Sequence, residues 1–203
     1  MSLLDIAPVI PVVVIDDPET AVPMARALVR GGLPVIEVTL RTEGALEAVE
    51  RIAAEVPEAV IGAGTVRTGA DVDAAVKAGA RFLVSPGSTP SLLDAMRDSG
   101  VPFLPGVATA SEVLALAERG LTEMKFFPAE AAGGLPYLKA LAGPLAEVRF
   151  CPTGGIKPAT AATYLALPNV GCVGGSWLTP ADALASGDYS RIERLAAEAA
   201  ALR

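Results

Sequence analysis

The chain has 203 residues, 52% of them hydrophobic, and a formal net charge of −7. It can therefore bury a large core, and its charge argues against nucleic acid or an anionic membrane as the main partner. It contains no histidine, which excludes a Ser-His-Asp triad, a Cys-His pair and an imidazole-bound zinc site. Acid–base chemistry near neutral pH therefore depends on carboxylate, lysine, tyrosine or cysteine side chains.

The N-terminus has no basic region, and the most apolar run, residues 6–15, is short and interrupted by prolines. We therefore expect a soluble cytoplasmic protein without a signal peptide or a membrane span. Cys151 and Cys172 are too few for a disulfide framework. Their apolar neighbours favour core packing instead.

Short apolar segments alternate with segments of helical periodicity along the chain. The predicted strands are residues 9–15, 35–40, 60–66, 81–86, 101–107, 122–129, 148–154 and 170–178. The predicted helices are residues 19–32, 43–56, 71–80, 90–100, 111–120, 135–143, 158–167 and 189–203. Strand–helix units repeated at intervals of about 20 to 25 residues predict parallel strands joined by helical crossovers.

This repeat predicts an α/β fold in which residues 1–203 form a single-domain (β/α)8 TIM barrel, although that fold typically has roughly 250 residues. An open, doubly wound sheet is the alternative. In such barrels, functional residues gather at the C-terminal ends of the strands. Here those ends concentrate glycine, proline, threonine and charge, in EVTLRTE, GAGTV, SPGS, PGVAT, KFFPAE, CPTGG and GGSW.

Lys125, in the segment TEMKFFPAE, is a lysine inside a predicted strand. By contrast, Lys77 and Lys139 fall on predicted helices, and Lys157 follows a glycine pair in a loop. Alternation along the strand places Lys125 and Phe127 on one face. Desolvation lowers the pKa of a lysine, and a neutral amine is a nucleophile that can form a Schiff base with a carbonyl substrate.

Glu37, Thr39 and Arg41 share one face of VIEVTLR, so we expect them to point into the barrel while the apolar set meets the helices. Glu37 and Lys125 would then converge. We predict that Lys125 forms an iminium and that Glu37 moves the protons. The alternatives are a Glu37–Arg41 pair or a Glu37–Lys125 pair with a purely structural role, although buried ion pairs stabilise poorly compared with apolar packing.

Glycine pairs follow the seventh and eighth predicted strands, in PTGGI (152–156) and GGSW (174–177). Backbone N–H groups beside glycines, together with a following helix N-terminus, can surround a phosphate. The loops after strands 7 and 8 are frequent phosphate sites in these barrels. We therefore expect a phosphate there, and tight turns without a ligand are the alternative.

The segments EVTLRTE, GAGTV, SPG, MKFFPAE, RFCPTGGI and GGSW, in this order and spacing, closely resemble the bacterial 2-keto-3-deoxy-6-phosphogluconate (KDPG) aldolases. That family is also associated with 4-hydroxy-2-oxoglutarate (KHG) aldolase activity. The resemblance extends from the first predicted strand to the final helix. It implies a class I aldolase with a (β/α)8 barrel, a small-molecule phosphorylated 2-keto acid as substrate, no metal or other cofactor, and a homotrimer.

The resemblance also implies roles for individual residues. Lys125 would be the Schiff-base lysine and Glu37 the general acid/base. The residues implied at the pyruvate end are Arg41 on the carboxylate, Thr65, Pro86, and Phe127 beside the imine. The residues implied at the phosphate end are Thr153, Gly154, Gly155, Gly175 and Ser176.

Two other classes of protein remain as alternatives. One is a metal-dependent lyase for the same type of substrate, against which the absence of histidine counts. Activity that is insensitive to EDTA would exclude it. The other is a non-catalytic protein that binds sugar phosphates or keto acids, for which ligand would bind without turnover.

Overall fold

The computed structural model of the chain describes residues 2–202. The strands are β1 (Val9–Val13), β2 (Val35–Thr39), β3 (Val60–Gly64), β4 (Leu83–Val84), β5 (Phe103–Leu104), β6 (Gly106–Val107), β7 (Glu123–Phe126), β8 (Arg149–Pro152) and β9 (Val173–Gly175). The helices are α1 (Ala21–Arg30), α2 (Ala45–Glu55), α3 (Gly69–Lys77), α4 (Pro90–Asp98), α5 (Ala110–Ala117), α6 (Gly134–Leu141), α7 (Pro158–Leu165), α8 (Ala181–Ser186) and α9 (Tyr189–Ala200). Within residues 2–202, no helix is both long enough and apolar enough to cross a bilayer.

The strands pair in parallel and form two curled sheets. One sheet has the order β5-β4-β3-β2-β1-β9, and the other has the order β6-β7-β8. Isolated parallel bridges, Phe150–Val170 and Thr153–Gly174, connect the β8 edge of the second sheet to the β9 segment of the first. The predicted α/β class with parallel strands is confirmed. The strand order runs sequentially, without the reversal that defines a doubly wound sheet.

The fifth predicted strand, residues 101–107, is interrupted at Pro105, which separates β5 from β6. β5 pairs with β4, whereas β6 pairs with β7. Proline has no amide hydrogen to give to a ladder, which accounts for the interruption. The eighth predicted strand shortens to β9, and α8 follows it in a segment for which no helix was predicted. Of the last predicted helix, Arg203 lies outside the described residues.

Two apolar clusters lie on opposite faces of the strands. The larger packs between strands and helices and includes Ile36 and Val38. The smaller lies on the inner face and consists of Leu3, Leu4, Ile10, Val35, Phe82, Val84, Leu104, Cys151 and Cys172. Core packing of the two cysteines, as predicted, is therefore confirmed. The alternation predicted for β2 is confirmed for Glu37 and Thr39, which are buried on the same face as Val35.

Threonine side chains fix the starts of the helices that follow several strands. Thr68, Thr89 and Thr109 each accept a hydrogen bond from a backbone N–H in the first turn of α3, α4 and α5. At α5, Glu112 reciprocates by accepting from the Thr109 N–H, which completes a capping box. These caps hold the strand-to-helix loops at the edge where the strands end.

Candidate active site

Lys125 and Glu37 form a buried ion pair on the inner face of the strands. Lys125 lies in β7 and Glu37 in β2, and the distance from Lys125 Nζ to Glu37 Oε1 is 3.0 Å. Each residue is only 3% exposed. The predicted convergence of the two side chains is confirmed. The contact joins a potential nucleophile to a group that can carry its proton, which is the geometry expected of an activated lysine.

Close packing from β3 fixes the position of the Glu37 carboxylate. A Cβ added to Gly64 would lie 2.1 Å from Glu37 Oε1 and 2.7 Å from Cδ. Only glycine leaves room for the carboxylate at this point. Two residues further along β2, the buried Thr39 hydroxyl donates to the Val13 carbonyl at 3.0 Å and ties β2 to β1.

Phe127 lies near Lys125, and Pro86 lies beside the strand that pairs with Lys125. Lys125 Nζ is 5.4 Å from the centroid of the Phe127 ring, within the range of a cation–π contact. Lys125 also pairs in register with Gly106 of β6. The Gly106 N–H donates to the Ser85 hydroxyl at 3.2 Å, which places Pro86, the next residue, beside the strand that pairs with Lys125.

Arg41 reaches the site from a loop. β2 ends at Thr39, and Arg41 is exposed. The prediction that Arg41 shares the buried face of the strand with Glu37 is therefore wrong. The chain turns at this point, with the Arg41 N–H donating to the Thr39 carbonyl at 2.8 Å. Arg41 Nε donates to Thr65 Oγ1 at 3.1 Å. Thr65 has a φ of +60°, a left-handed conformation that a β-branched residue adopts only under strong constraint.

A pocket of about 120 Å³ opens beside Phe127. Its lining residues come from strand ends and the loops that follow them: Val12, Arg41, Phe127, Thr153, Gly154, Gly155, Ile156, Gly174 and Ser176. Most residues predicted for the phosphate end are therefore brought together. Gly175 is not among them, and a Cβ added to it would lie 2.2 Å from the Trp177 ring.

A larger pocket of about 460 Å³ adjoins the first and shares Val12 and Ser176 with it. It lies between the loop after β1 and helix α8, with Ile15 and Leu184 among its apolar walls and Asp16 at its polar edge. Neither Lys125 nor Glu37 lines either pocket. We place the candidate active site at the smaller pocket because Phe127, whose ring lies 5.4 Å from Lys125 Nζ, and Arg41 both line it.

The loop after β8 has an unusual backbone. Gly154 and Gly155 have φ values of 104° and 82°, which glycine adopts without Cβ strain. The Thr153 carbonyl accepts from the Ala129 N–H at 2.8 Å, and the Gly154 carbonyl accepts from the Glu130 N–H at 3.1 Å. The loop is thus bound to the segment after β7, and α7 begins directly after it.

Sequence reasoning missed several residues of the site. Val12, Ile156 and Gly174 line the pocket, and Gly64 makes room for Glu37. Applying to β1 the alternation used for β2 and β7 would have selected Val12, because Ile10 belongs to the inner cluster. Among residues 2–202, no group of three or more cysteine, aspartate or glutamate side chains is arranged to hold a metal ion.

Comparison with known proteins identifies the family. A family model described as KDPG and KHG aldolase matches residues 1–195. The chain belongs to the KDPG/KHG aldolase family. A KHG/KDPG aldolase of Escherichia coli K12 is 56% identical over 198 residues, which cover 98% of this aldolase-family chain and 93% of that protein. A 2-dehydro-3-deoxy-phosphogluconate aldolase of Dickeya dadantii is 55% identical over 200 residues, covering 98% and 94%.

Solved structures of other family members superpose closely on this one. A KDPG aldolase of Legionella pneumophila, with pyruvate captured at low pH as a covalent carbinolamine intermediate, has a TM-score of 0.95 and 48% identity, covering 97% of this chain and 96% of that one. The KDPG aldolase of Zymomonas mobilis with 3-phosphoglycerate has a TM-score of 0.93 and 50% identity, covering 98% and 94%. The family assignment made from the sequence motifs is confirmed.

Proposed function

We propose that this family member is a class I aldolase that reversibly cleaves KDPG to pyruvate and glyceraldehyde 3-phosphate, and that it also cleaves KHG to pyruvate and glyoxylate. The observation that carries the proposal is the buried 3.0 Å contact between Lys125 Nζ and Glu37 Oε1. The relatives named KHG/KDPG aldolase support both substrates. The carbinolamine captured in the Legionella relative supports attack by an amine on the keto acid.

The first half of the reaction forms the iminium. Glu37 Oε1, which accepts a hydrogen bond from Lys125 Nζ, takes a proton from the ammonium, and the neutral amine attacks the C2 ketone. Proton transfer within the adduct gives the carbinolamine. Glu37 then returns its proton to the C2 hydroxyl, which leaves as water and yields the iminium. Because both side chains are buried and in direct contact, bulk solvent does not compete for the proton that passes between the carboxylate and the amine.

The second half breaks the carbon–carbon bond. Glu37 removes the proton from the C4 hydroxyl, the C3–C4 bond breaks, and the electron pair passes into the iminium to give an enamine and the free aldehyde. Glu37 then protonates C3. Water hydrolyses the resulting iminium, which releases pyruvate and restores Lys125. Glu37 thus carries the proton at each of these steps, in a chain that has no histidine to do so.

The pyruvate end lies with Arg41, Thr65, Pro86 and Phe127. Thr65 Oγ1 accepts from Arg41 Nε, so the terminal nitrogens of the guanidinium are left to bind the substrate carboxylate end-on and bidentately. Phe127 packs beside the imine, consistent with its 5.4 Å distance from Lys125 Nζ. Pro86 lies beside the strand that pairs with Lys125.

The phosphate end lies in the loops after β8 and β9. We assign phosphate contacts to hydroxyl groups and to backbone N–H groups at the glycine pairs, with the N-terminus of α7 adding attraction. The residues concerned are Thr153, Gly154, Gly155, Gly175 and Ser176. Gly175, like the other glycines, contributes its backbone N–H group.

We further propose that the strands close into one (β/α)8 barrel in a single domain. β5 and β6 count as one strand interrupted at Pro105, and the Thr153–Gly174 bridge joins the two sheets at β8 and β9. The inner apolar cluster, which draws on strands of both sheets, supports closure. The cytoplasmic location expected from the sequence stays a prediction.

The homotrimer implied by the family also belongs to this proposal. Helix α7 has no charged residue, α5 and α6 have one each, and Leu114 of α5 is 52% exposed. Such a weakly charged surface suits contact between subunits. Light scattering coupled to size-exclusion chromatography should give three times the 20.6 kDa chain mass, whereas the mass of a single chain would contradict the trimer.

Replacement of the two central residues tests the activity. Lys125→Ala should abolish nearly all KDPG cleavage, and Glu37→Gln should lower kcat about 10²–10⁴-fold because proton transfer is lost. Coupled assay of pyruvate release measures both. A normal kcat in Lys125→Ala, or KDPG binding by the wild-type protein without turnover, would contradict the proposal.

A further inference from the structure

A buried tyrosine donates a hydrogen bond to a carboxylate beside the loop after β8. This loop carries Gly154 and Gly155, and we call it the glycine loop. Tyr164 of α7 is fully buried, and its hydroxyl donates to Glu130 Oε1 at 2.5 Å. Burial, followed by the hydrogen bond and the charge of Glu130, raises the pKa of Tyr164. The hydroxyl therefore keeps its proton at neutral pH and remains a donor. The mechanism above uses neither residue.

Glu130 in turn supports the loop that carries Gly154 and Gly155. Its N–H donates to the Gly154 carbonyl at 3.1 Å. Its side chain lies against Gly155, since a Cβ added there would be 2.7 Å from Glu130 Cγ. Glu130 thus contacts the loop through both its backbone and its side chain, while Tyr164 holds that side chain from the helix that follows the loop.

The charge of Glu130 does not explain this arrangement. A carboxylate beside a phosphate-binding loop repels the anion, so electrostatics alone would disfavour it. Gly154 and Gly155 have no side chains that could anchor the loop. Glycine also adopts positive and negative φ angles about equally readily, so its own preference does not select the observed backbone conformation. Contacts from outside the loop must therefore define its shape, and the Tyr164–Glu130 hydrogen bond fixes one of them.

We propose that Glu130 and Tyr164 are positioning residues that hold the glycine loop in its phosphate-binding shape and thereby set the preference for phosphorylated over unphosphorylated 2-keto acids. This inference rests on the proposed function of the site. The two residues act through the loop and do not touch the reacting carbons. Their loss should therefore affect KDPG and spare 2-keto-3-deoxygluconate, which lacks the phosphate.

Four variants test the proposal. Glu130→Ala and Tyr164→Phe remove the hydrogen bond, whereas Glu130→Gln keeps an oxygen that can accept it. Tyr137→Phe is the matched control, because the Tyr137 hydroxyl accepts from the Ala110 N–H at 3.0 Å at the start of α5. Steady-state kinetics with KDPG and with 2-keto-3-deoxygluconate, and the melting temperature, are measured for each.

We expect the KM for KDPG to rise about tenfold in Glu130→Ala and Tyr164→Phe, the loss typical of one hydrogen bond to a charged group. The kcat should change little, and the KM for 2-keto-3-deoxygluconate should stay within about twofold, as with the control. Glu130→Gln should recover most of the KDPG affinity. Glu130 is exposed, so Glu130→Ala should fold even if Tyr164→Phe does not.

An equal loss with both substrates, or an unchanged KM for KDPG in Glu130→Ala, would overturn the inference. Borohydride trapping of pyruvate by the wild-type protein distinguishes failure of the proposed function from failure of this inference. If the wild type is trapped but the substrate preference does not shift in the variants, only this inference fails. If the wild type is not trapped, both the proposed function and this inference fail.

Discussion

Replacing Gly64 by alanine should disable the site without altering either proposed catalytic residue. The new Cβ would lie 2.1 Å from Glu37 Oε1, 2.6 Å from Cγ and 2.7 Å from Cδ. Glu37 is nearly fully buried, so its side chain cannot swing into solvent without losing the contact with Lys125. The carboxylate must therefore move within a packed interior, or β3 must shift.

The size of the movement sets the expected loss. Ordinary contact begins near 3.4 Å, so the carboxylate oxygen must retreat by about 1.3 Å (3.4 − 2.1). Misplacement of a reacting group by about 1 Å can cost on the order of 10²-fold in rate. We expect Gly64→Ala to lower kcat about 10²-fold. Overpacking of this kind should also reduce the free energy of unfolding by about 1–3 kcal/mol.

Coupled assay of KDPG cleavage measures the first quantity and urea unfolding the second. Gly69→Ala is the control, because a Cβ on Gly69 would meet only the Ala95 Cβ at 3.6 Å, an ordinary contact. That variant should retain wild-type kcat. A Gly64→Ala protein with wild-type kcat would refute the reasoning that the position of the Glu37 carboxylate controls turnover.

Other predictions follow from the buried pair and from a helix cap. The double variant Lys125→Met/Glu37→Met should be inactive yet at least as stable as the wild type in urea unfolding, because apolar packing replaces a buried ion pair without loss; a large loss of stability would favour a structural role for the pair. A backbone hydrogen bond from Ala108 is the largest of the causes that lower the pKa of Glu112 from 4.5. Its charge therefore stabilises the fold above that pH and ceases to do so as the pH falls through the lower folded value. The stability difference between wild type and Glu112→Gln should thus shrink from pH 7 to pH 3, and a difference that is constant across that range would contradict this. Turnover should survive EDTA, and loss of activity that added metal restores would favour the metal-dependent alternative.

The repeat and the central pair were predictable because they depend on short-range rules. Strand–helix alternation is visible in the sequence, and the two-residue period of a strand places Glu37 and Lys125 on inner faces once parallel strands are assumed. Their contact then follows from topology. The interruption of the fifth strand is also local in origin, since Pro105 is visible in the sequence, but its effect on pairing depends on both neighbouring strands.

Other features depend on contacts between distant segments. Arg41 was expected on the buried face of a strand, yet the chain turns after Thr39 and presents it from a loop. The positive φ of Thr65 contradicts the preference of a β-branched residue, so no local rule predicts it. The contact between Glu130 and Tyr164 joins residues 34 positions apart, and only the folded arrangement of β7, β8 and α7 reveals it.

The most direct test of the account is the intact mass of the protein after incubation with pyruvate and sodium borohydride, followed by peptide mapping. A Schiff-base mechanism predicts one reduced pyruvate adduct per chain, located on Lys125, and none in Lys125→Ala. The absence of an adduct from the folded wild-type protein, or its location on the exposed Lys77, Lys139 or Lys157, would contradict the account.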